Sequence, residues 1–240
     1  MKHRKYGRLL DSLSIFSVAV LTTMMFSNVI PLALAQSINN SNVFASDSKP
    51  YGLTYGEWSA KWWQWALSIP KQNSPLVDST GKNCDQKQSG PVWFLAGTTG
   101  GTEDRTCTIP HGKAILFPGF NVECSFAENP NVKTDSGLSA CAKSQLDIAR
   151  NVVASIDGQN LQDLRPYRVQ SPPFNVTFAN NNIFGVPAGN SRSVSDGYWI
   201  MVMPLTSGVH TIHFGGMAVD FTTTSTVNFA TTVTYHLTIH

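Results

Sequence analysis

SDGYWIMVMPL, residues 195–205, sets the architecture of this chain. In an extended strand successive side chains point to opposite faces, so Tyr198, Ile200 and Val202 share one side and Trp199, Met201 and Met203 the other. Both faces are apolar, and such a strand needs a cover on each. A second sheet can supply one cover. The other calls for a helix with a broad apolar side.

YGEWSAKWWQWALSIP, residues 55–70, fits that role and holds Trp58, Trp62, Trp63 and Trp65. Thr54 with Glu57 three residues on forms a capping box, and Pro70 ends the segment, which predicts a helix over about 55–68. At helical spacing Trp58, Trp62, Trp65 and Ile69 form one stripe, which Ala60, Trp63, Ala66 and Leu67 widen. Glu57, Lys61, Gln64 and Ser68 leave a narrow polar strip. A helix this apolar is read as core, packed on the 195–205 strand.

Other segments read mostly as β. Residues 91–97, 105–109, 113–118 and 174–179 are short apolar or alternating runs bounded by Gly and Pro. VHTIHF, residues 209–214, follows Thr206-Ser207-Gly208 and is expected to return on the 197–204 strand as a hairpin. Thr- and Val-rich strands then run to the terminus. A second helix is predicted over about 136–150, capped by Asp135 or Ser136. NVVASIDGQNL reads as strand, Asp157-Gly158 turn and strand. The fold class is mainly β: a jelly-roll-like β-sandwich with two accessory helices.

The N-terminus is of another kind. MKHRKYGR precedes an apolar run and an Ala33-Leu34-Ala35 site, the pattern of a secretory signal peptide over residues 1–35. The alternative is an uncleaved anchor, although Asn28 and Pro31 interrupt the run. The polar stretch 36–50 reads as a flexible linker, leaving 51–240 as a single domain. The chain has 17 basic and 15 acidic residues; setting aside Lys2, Arg4, Lys5, Arg8 and Asp11 of the leader leaves 13 and 14. Without a basic stripe, nucleic acid is excluded as a partner. No mature segment is apolar enough to span a membrane.

Cys84, Cys107, Cys124 and Cys141 make an even set in an exported chain and predict two disulfides. Of the three pairings, the sequential one closes the shortest loops and is favoured. A zinc cluster lacks the C-x-x-C spacing it would need.

Tyr51-Gly52-x-x-Tyr55-x-x-Trp58, Asp196-Gly197-Tyr198-Trp199 and His210-Thr211-Ile212-His213-Phe214-Gly215-Gly216 resemble motifs of exported prokaryotic proteins of β-sandwich type. That family has no assigned activity, so the resemblance implies export and fold but no functional residue.

Candidate chemistry is sparse. His210 and His213 point to opposite faces of a strand, and His236 and His240 stand roughly 13 Å apart, leaving a cross-strand pair of His210 with His236. Asp78, Thr80, Asn83 and Asp85 offer oxygens in a Gly-containing loop without EF-hand spacing. Metal binding is therefore not expected, and neither is a cofactor. Nucleophile motifs such as G-x-S-x-G and H-E-x-x-H are absent. A glycosidase needs two facing carboxyl groups, and Glu57, Glu123, Glu128, Asp196 and Asp220 lie nearest apolar segments. Glu123, after the apolar FPGFN run, is the first acid to weigh. For sugar stacking the aromatic candidates are Trp63, Tyr51, Tyr55 and Tyr167.

These observations describe a secreted or cell-surface, disulfide-bonded protein. Non-catalytic binding, of carbohydrate or a surface protein, is the first reading, together with self-assembly through the terminal strand if that strand lies on a sheet edge. An exported glycan hydrolase using Glu123 is the alternative.

Overall fold

The computed structural model describes residues 42–220 and 226–240. The leader at 1–35 and residues 36–41 lie outside the described residues. The first sheet contains β1 (Val92–Phe94), β3 (Ala114–Ser125), β8 (Gly189–Val202) and β6 (Arg168–Gln170) in that order, with β7 (Phe174–Phe178) also on β8. The second runs β2 (Gly101–Ile109), β10 (Thr226–Ile239), β9 (Gly208–Asp220), β4 (Ala149–Ile156), β5 (Gln159–Asn160). Both sheets are mixed: β1 runs parallel to β3, and β2 parallel to β10. The two pack face to face as a sandwich, where Phe117 of β3 stacks on Phe214 of β9 with ring centroids 4.8 Å apart. The mainly-β sandwich with two helices is the architecture expected.

Helix α1 (Tyr55–Leu67) carries the reciprocal capping box between Thr54 and Glu57. Its tryptophans are buried against the outer face of the first sheet, and Trp62 meets Trp199 of β8 edge to face at 5.4 Å. On the opposite face of β8, Tyr198 and Ile200 lie beside Gly119 and Val152, toward the second sheet. The strand is thus covered as its two apolar faces require. Helix α2 (Asp135–Asp147) buries Leu138, Ala142 and Leu146. Its cap is Thr134, whose hydroxyl accepts from the Gly137 amide, while Asp135 is engaged by Arg192 at 2.9 Å.

Three expectations change. Strands β8 and β9 do not form a hairpin: the chain turns a corner after Val202 and enters the other sheet at Gly208. A short turn between two apolar strands serves either geometry, and Pro204, without an N–H, cannot extend the ladder. The terminal strand β10 lies inside its sheet, paired with β2 on one side and β9 on the other, so it offers no edge for self-assembly. The segment read as a linker joins the packing from Asn42 onward: Val43 bridges Val202, and the Phe44 carbonyl accepts from the hydroxyls of Tyr55 and Tyr167. The Asp157-Gly158 hairpin and the sequential disulfides, Cys84–Cys107 and Cys124–Cys141, are present.

Candidate functional site

Strand β3 is flanked by β8 along most of its length but by β1 only from Ala114 to Leu116. At Pro118 the sequence supplies a residue with no N–H, and the register with β8 slips by one residue between Pro118 and Phe120. From there to Glu123 the uncovered side of β3 borders a cavity of about 440 Å³. Trp63 of α1, Phe184, Phe214 of β9 and Phe229 of β10 line it, with Trp63 and Phe184 adjacent. Glycines let this wall close. A Cβ on Gly216 would come within 2.9 Å of the Phe120 ring, and one on Gly119 within 3.0 Å of Val152 Cγ1.

Polar accounting marks the cavity as unusual. Buried donors and acceptors are normally paired. Among the described residues, Trp63 Nε1, Asn121 Nδ2, Glu123 Oε1 and Thr231 Oγ1 are buried without a partner and belong to residues that line this cavity, while the others so placed, on Trp93, Arg105 and Trp199, lie elsewhere in the core. Glu123 accepts from the Ser193 hydroxyl through Oε2. Burial, then the Glu128 carboxyl beside it, holds its pKa well above the usual carboxylate range. Glu128 is steadied by Ser125, whose hydroxyl donates to it at 2.7 Å. The disulfide from Cys124, next to Glu123, ties this part of β3 to α2, where Gln145 Nε2 lies 3.3 Å from Cys124 Sγ and also lines the cavity.

Of the residues singled out from sequence, Trp63, Glu123 and Glu128 line this cavity. Tyr55 and Tyr167 are buried and clamp Phe44, and Tyr51 lies against Trp58 and Phe44 away from the cavity. Glu57 serves the helix cap, and Asp196 pairs with Arg168 at 3.1 Å. The Asp220 side chain lies outside the described residues.

Asp78 accepts from the amides of Thr80 and Asn83 and the Thr80 hydroxyl. Although burial pushes the other way, these donors hold its pKa below the ordinary value and occupy the oxygens a cation would need. Asp85 is exposed. His210 binds Asp157 at 2.8 Å; burial works against its charge, but the bonds to Asp157 and the Thr206 carbonyl raise its pKa. It sits opposite Leu237, whereas His236 sits opposite Thr211 and pairs with Asp104. Neighbouring register positions face opposite sides, so the two histidines cannot share an ion. No cluster of three or more metal-ligating side chains occurs among the described residues.

Sequence reasoning listed Glu128 among the acids without pairing it to Glu123, and passed over Asn121, Phe184, Phe229 and Thr231. Alternation along β3 could have placed Asn121 on the face of Glu123. The others come from distant segments that carry no local signal of their meeting.

No protein-family model matches the chain, and neither does any curated protein. Solved structures that are weakly similar include the following two. A chain in the structure of PbICP-C in complex with falcipain-2 has a TM-score of 0.24 at 12% identity, covering 63% of this chain and 100% of that one. The solution structure of Amebosin has a TM-score of 0.20 at 12% identity, covering 58% and 96%. Likeness at this level carries no argument about function.

Proposed function

We propose that this protein is an exported, non-catalytic binding protein that takes a small, largely apolar organic molecule into the cavity beside β3. The observation that carries this reading is an aromatic-walled space in which four buried polar atoms lack partners. Ligand sites of this size characteristically combine an apolar lining with a few polar groups that set orientation. Export is supported by the Ala33-Leu34-Ala35 leader pattern, the resemblance to exported prokaryotic proteins and two disulfides. Among the described residues no helix is long and apolar enough to cross a membrane.

A carbohydrate suits this cavity poorly, since each sugar hydroxyl left against phenylalanine loses its water without replacement. A stacking platform would need exposed rings; Trp63, Tyr55 and Tyr167 are buried, and the exposed Tyr51 lies against Phe44 and Trp58, away from the cavity. The glycan-hydrolase alternative meets a geometric obstacle. Glycosidase carboxyl groups stand roughly 5 to 9.5 Å apart with substrate between them, whereas the Glu128 carboxyl lies directly beside Glu123 and raises its pKa.

Titrating the purified protein with the neutral fluorophore N-phenyl-1-naphthylamine tests the cavity. Saturable enhancement at one site per chain is expected, and Ala218→Phe, which fills the space from β9, should abolish it. An unchanged titration in that variant would place the probe elsewhere and reject the cavity as the binding site.

A further inference from the structure

The ionisable residues of the cavity narrow its ligand. Among the described residues that line it, Glu123 and Glu128 are the titratable ones; no Lys, Arg or His side chain faces them. We propose that the cavity selects an amphipathic organic amine, its ammonium group held by the Glu123–Glu128 carboxyl pair and its apolar body against the aromatic wall. This rests on the binding reading above and assigns the chemical class of its ligand.

Glu123 is buried among apolar groups with the half-buried Glu128 carboxyl beside it, and a carboxylate so placed is costly to charge without a counter-ion. Without a cation the Glu123 carboxyl tends to retain its proton, because burial and the neighbouring Glu128 carboxyl both disfavour its charged form. An ammonium group supplies both the missing charge and up to three N–H donors, one of which suits the unpartnered Glu123 Oε1. Aromatic faces reinforce the preference. Trp63 and Phe184 lie with ring centroids 6.4 Å apart and planes inclined by 33°, and both line the cavity. Cations are attracted to such ring faces.

Other charge types fit worse. A carboxylate ligand would set a further negative group against the two carboxyls, and a neutral one leaves the cost of charging Glu123 uncompensated. The unpartnered donors Trp63 Nε1–H and Asn121 Nδ2–H call for an acceptor on the ligand as well. The best fit is an amine that also carries a carbonyl or hydroxyl oxygen.

Binding of the ammonium ion displaces the proton held by Glu123 to solvent. Affinity should therefore rise with pH as the carboxyl proton is lost, and level off until the amine itself deprotonates, at about pH 10 for an alkylamine.

The test is calorimetric titration of the full-length mature protein with 4-phenylbutylamine, 4-phenylbutan-1-ol and 4-phenylbutyrate, which differ at the head group. The amine is expected to bind at least about tenfold more tightly than the alcohol near neutral pH, with butyrate weakest. Repeating the titration in buffers of different ionisation enthalpy should show up to about one proton released per amine bound. Glu123→Gln and Glu128→Gln, each checked for an unchanged circular dichroism spectrum, should remove the preference for the amine while retaining the alcohol. Equal binding of amine and alcohol by the unaltered protein would overturn the amine assignment and leave the cavity reading standing. An amine preference that survives both substitutions would also overturn it. Failure of all three compounds and of the naphthylamine probe would reject both readings.

Discussion

Trp62 and Trp63 are neighbours on one helix and are both buried, yet their indole nitrogens are treated in opposite ways. Trp62 Nε1 donates to the Leu95 carbonyl at 2.9 Å, just as Trp58 Nε1 donates to Pro50 and Trp65 Nε1 to Gln86. Trp63 Nε1 has no partner and borders the cavity. Three of the four tryptophans fasten α1 to surrounding backbone, and the fourth presents an unpaired donor to a space between helix and sandwich. Burial alone cannot separate these roles, because Trp63 is as inaccessible as Trp65. Hydrogen bonding together with position separates them: Trp93 Nε1 and Trp199 Nε1 also lack partners among the described residues, but of these unpaired indoles it is Trp63 that lines the cavity.

Replacing the fastened residue should produce the largest effect. Trp62→Ala removes a fully buried ring packed on Trp199 and leaves the Leu95 carbonyl without its donor. A loss of about 3–5 kcal/mol in denaturant unfolding is expected. A loss below about 1 kcal/mol would break the contrast between the two tryptophans.

Removing the disulfide beside Glu123 comes next. The Cys124→Ser, Cys141→Ser double variant opens a loop of 17 residues, for which about 3 kcal/mol is expected. Because that bridge ties β3 to α2 at the cavity, it should also weaken amine binding. The Cys84→Ser, Cys107→Ser variant should lose comparable stability with binding intact. Equal weakening of binding in both would mean that the Cys124–Cys141 bridge has no particular role in holding the cavity.

The smallest change in stability is expected for Trp63→Phe, which trades ring area for the removal of an unpaired buried donor. A shift within about 1 kcal/mol is expected in thermal unfolding, together with a measurable loss of amine affinity through the smaller ring face. If this variant unfolds as readily as Trp62→Ala, Trp63 belongs to the core.

Much of the fold was legible because its determinants are local. The Thr54–Glu57 box, Pro70 and the tryptophan spacing mark α1 through interactions within a few residues. Alternation in residues 198–203 specifies a strand covered on both faces, and Trp199 does meet α1. The sequential disulfides follow from loop length. Legibility failed where the same local pattern serves two long-range arrangements. Thr206-Ser207-Gly208 can close a hairpin or turn a corner between sheets, and a Thr-rich final strand can lie at an edge or in the interior. Those choices depend on how the two sheets pack, which no short window contains.

The site divides in the same way. Sequence by itself determined that Trp63 belongs to an apolar helix and that Glu123 follows an apolar run, since residue type and spacing state both. Only the tertiary structure decided that Trp63 lacks a partner, that Glu128 stands beside Glu123, and that Phe184, Phe229 and Thr231 close the same space. The physical reason is that secondary structure answers to nearest neighbours along the chain. A cavity and the charge within it answer to groups far apart in sequence that folding brings within a few ångströms.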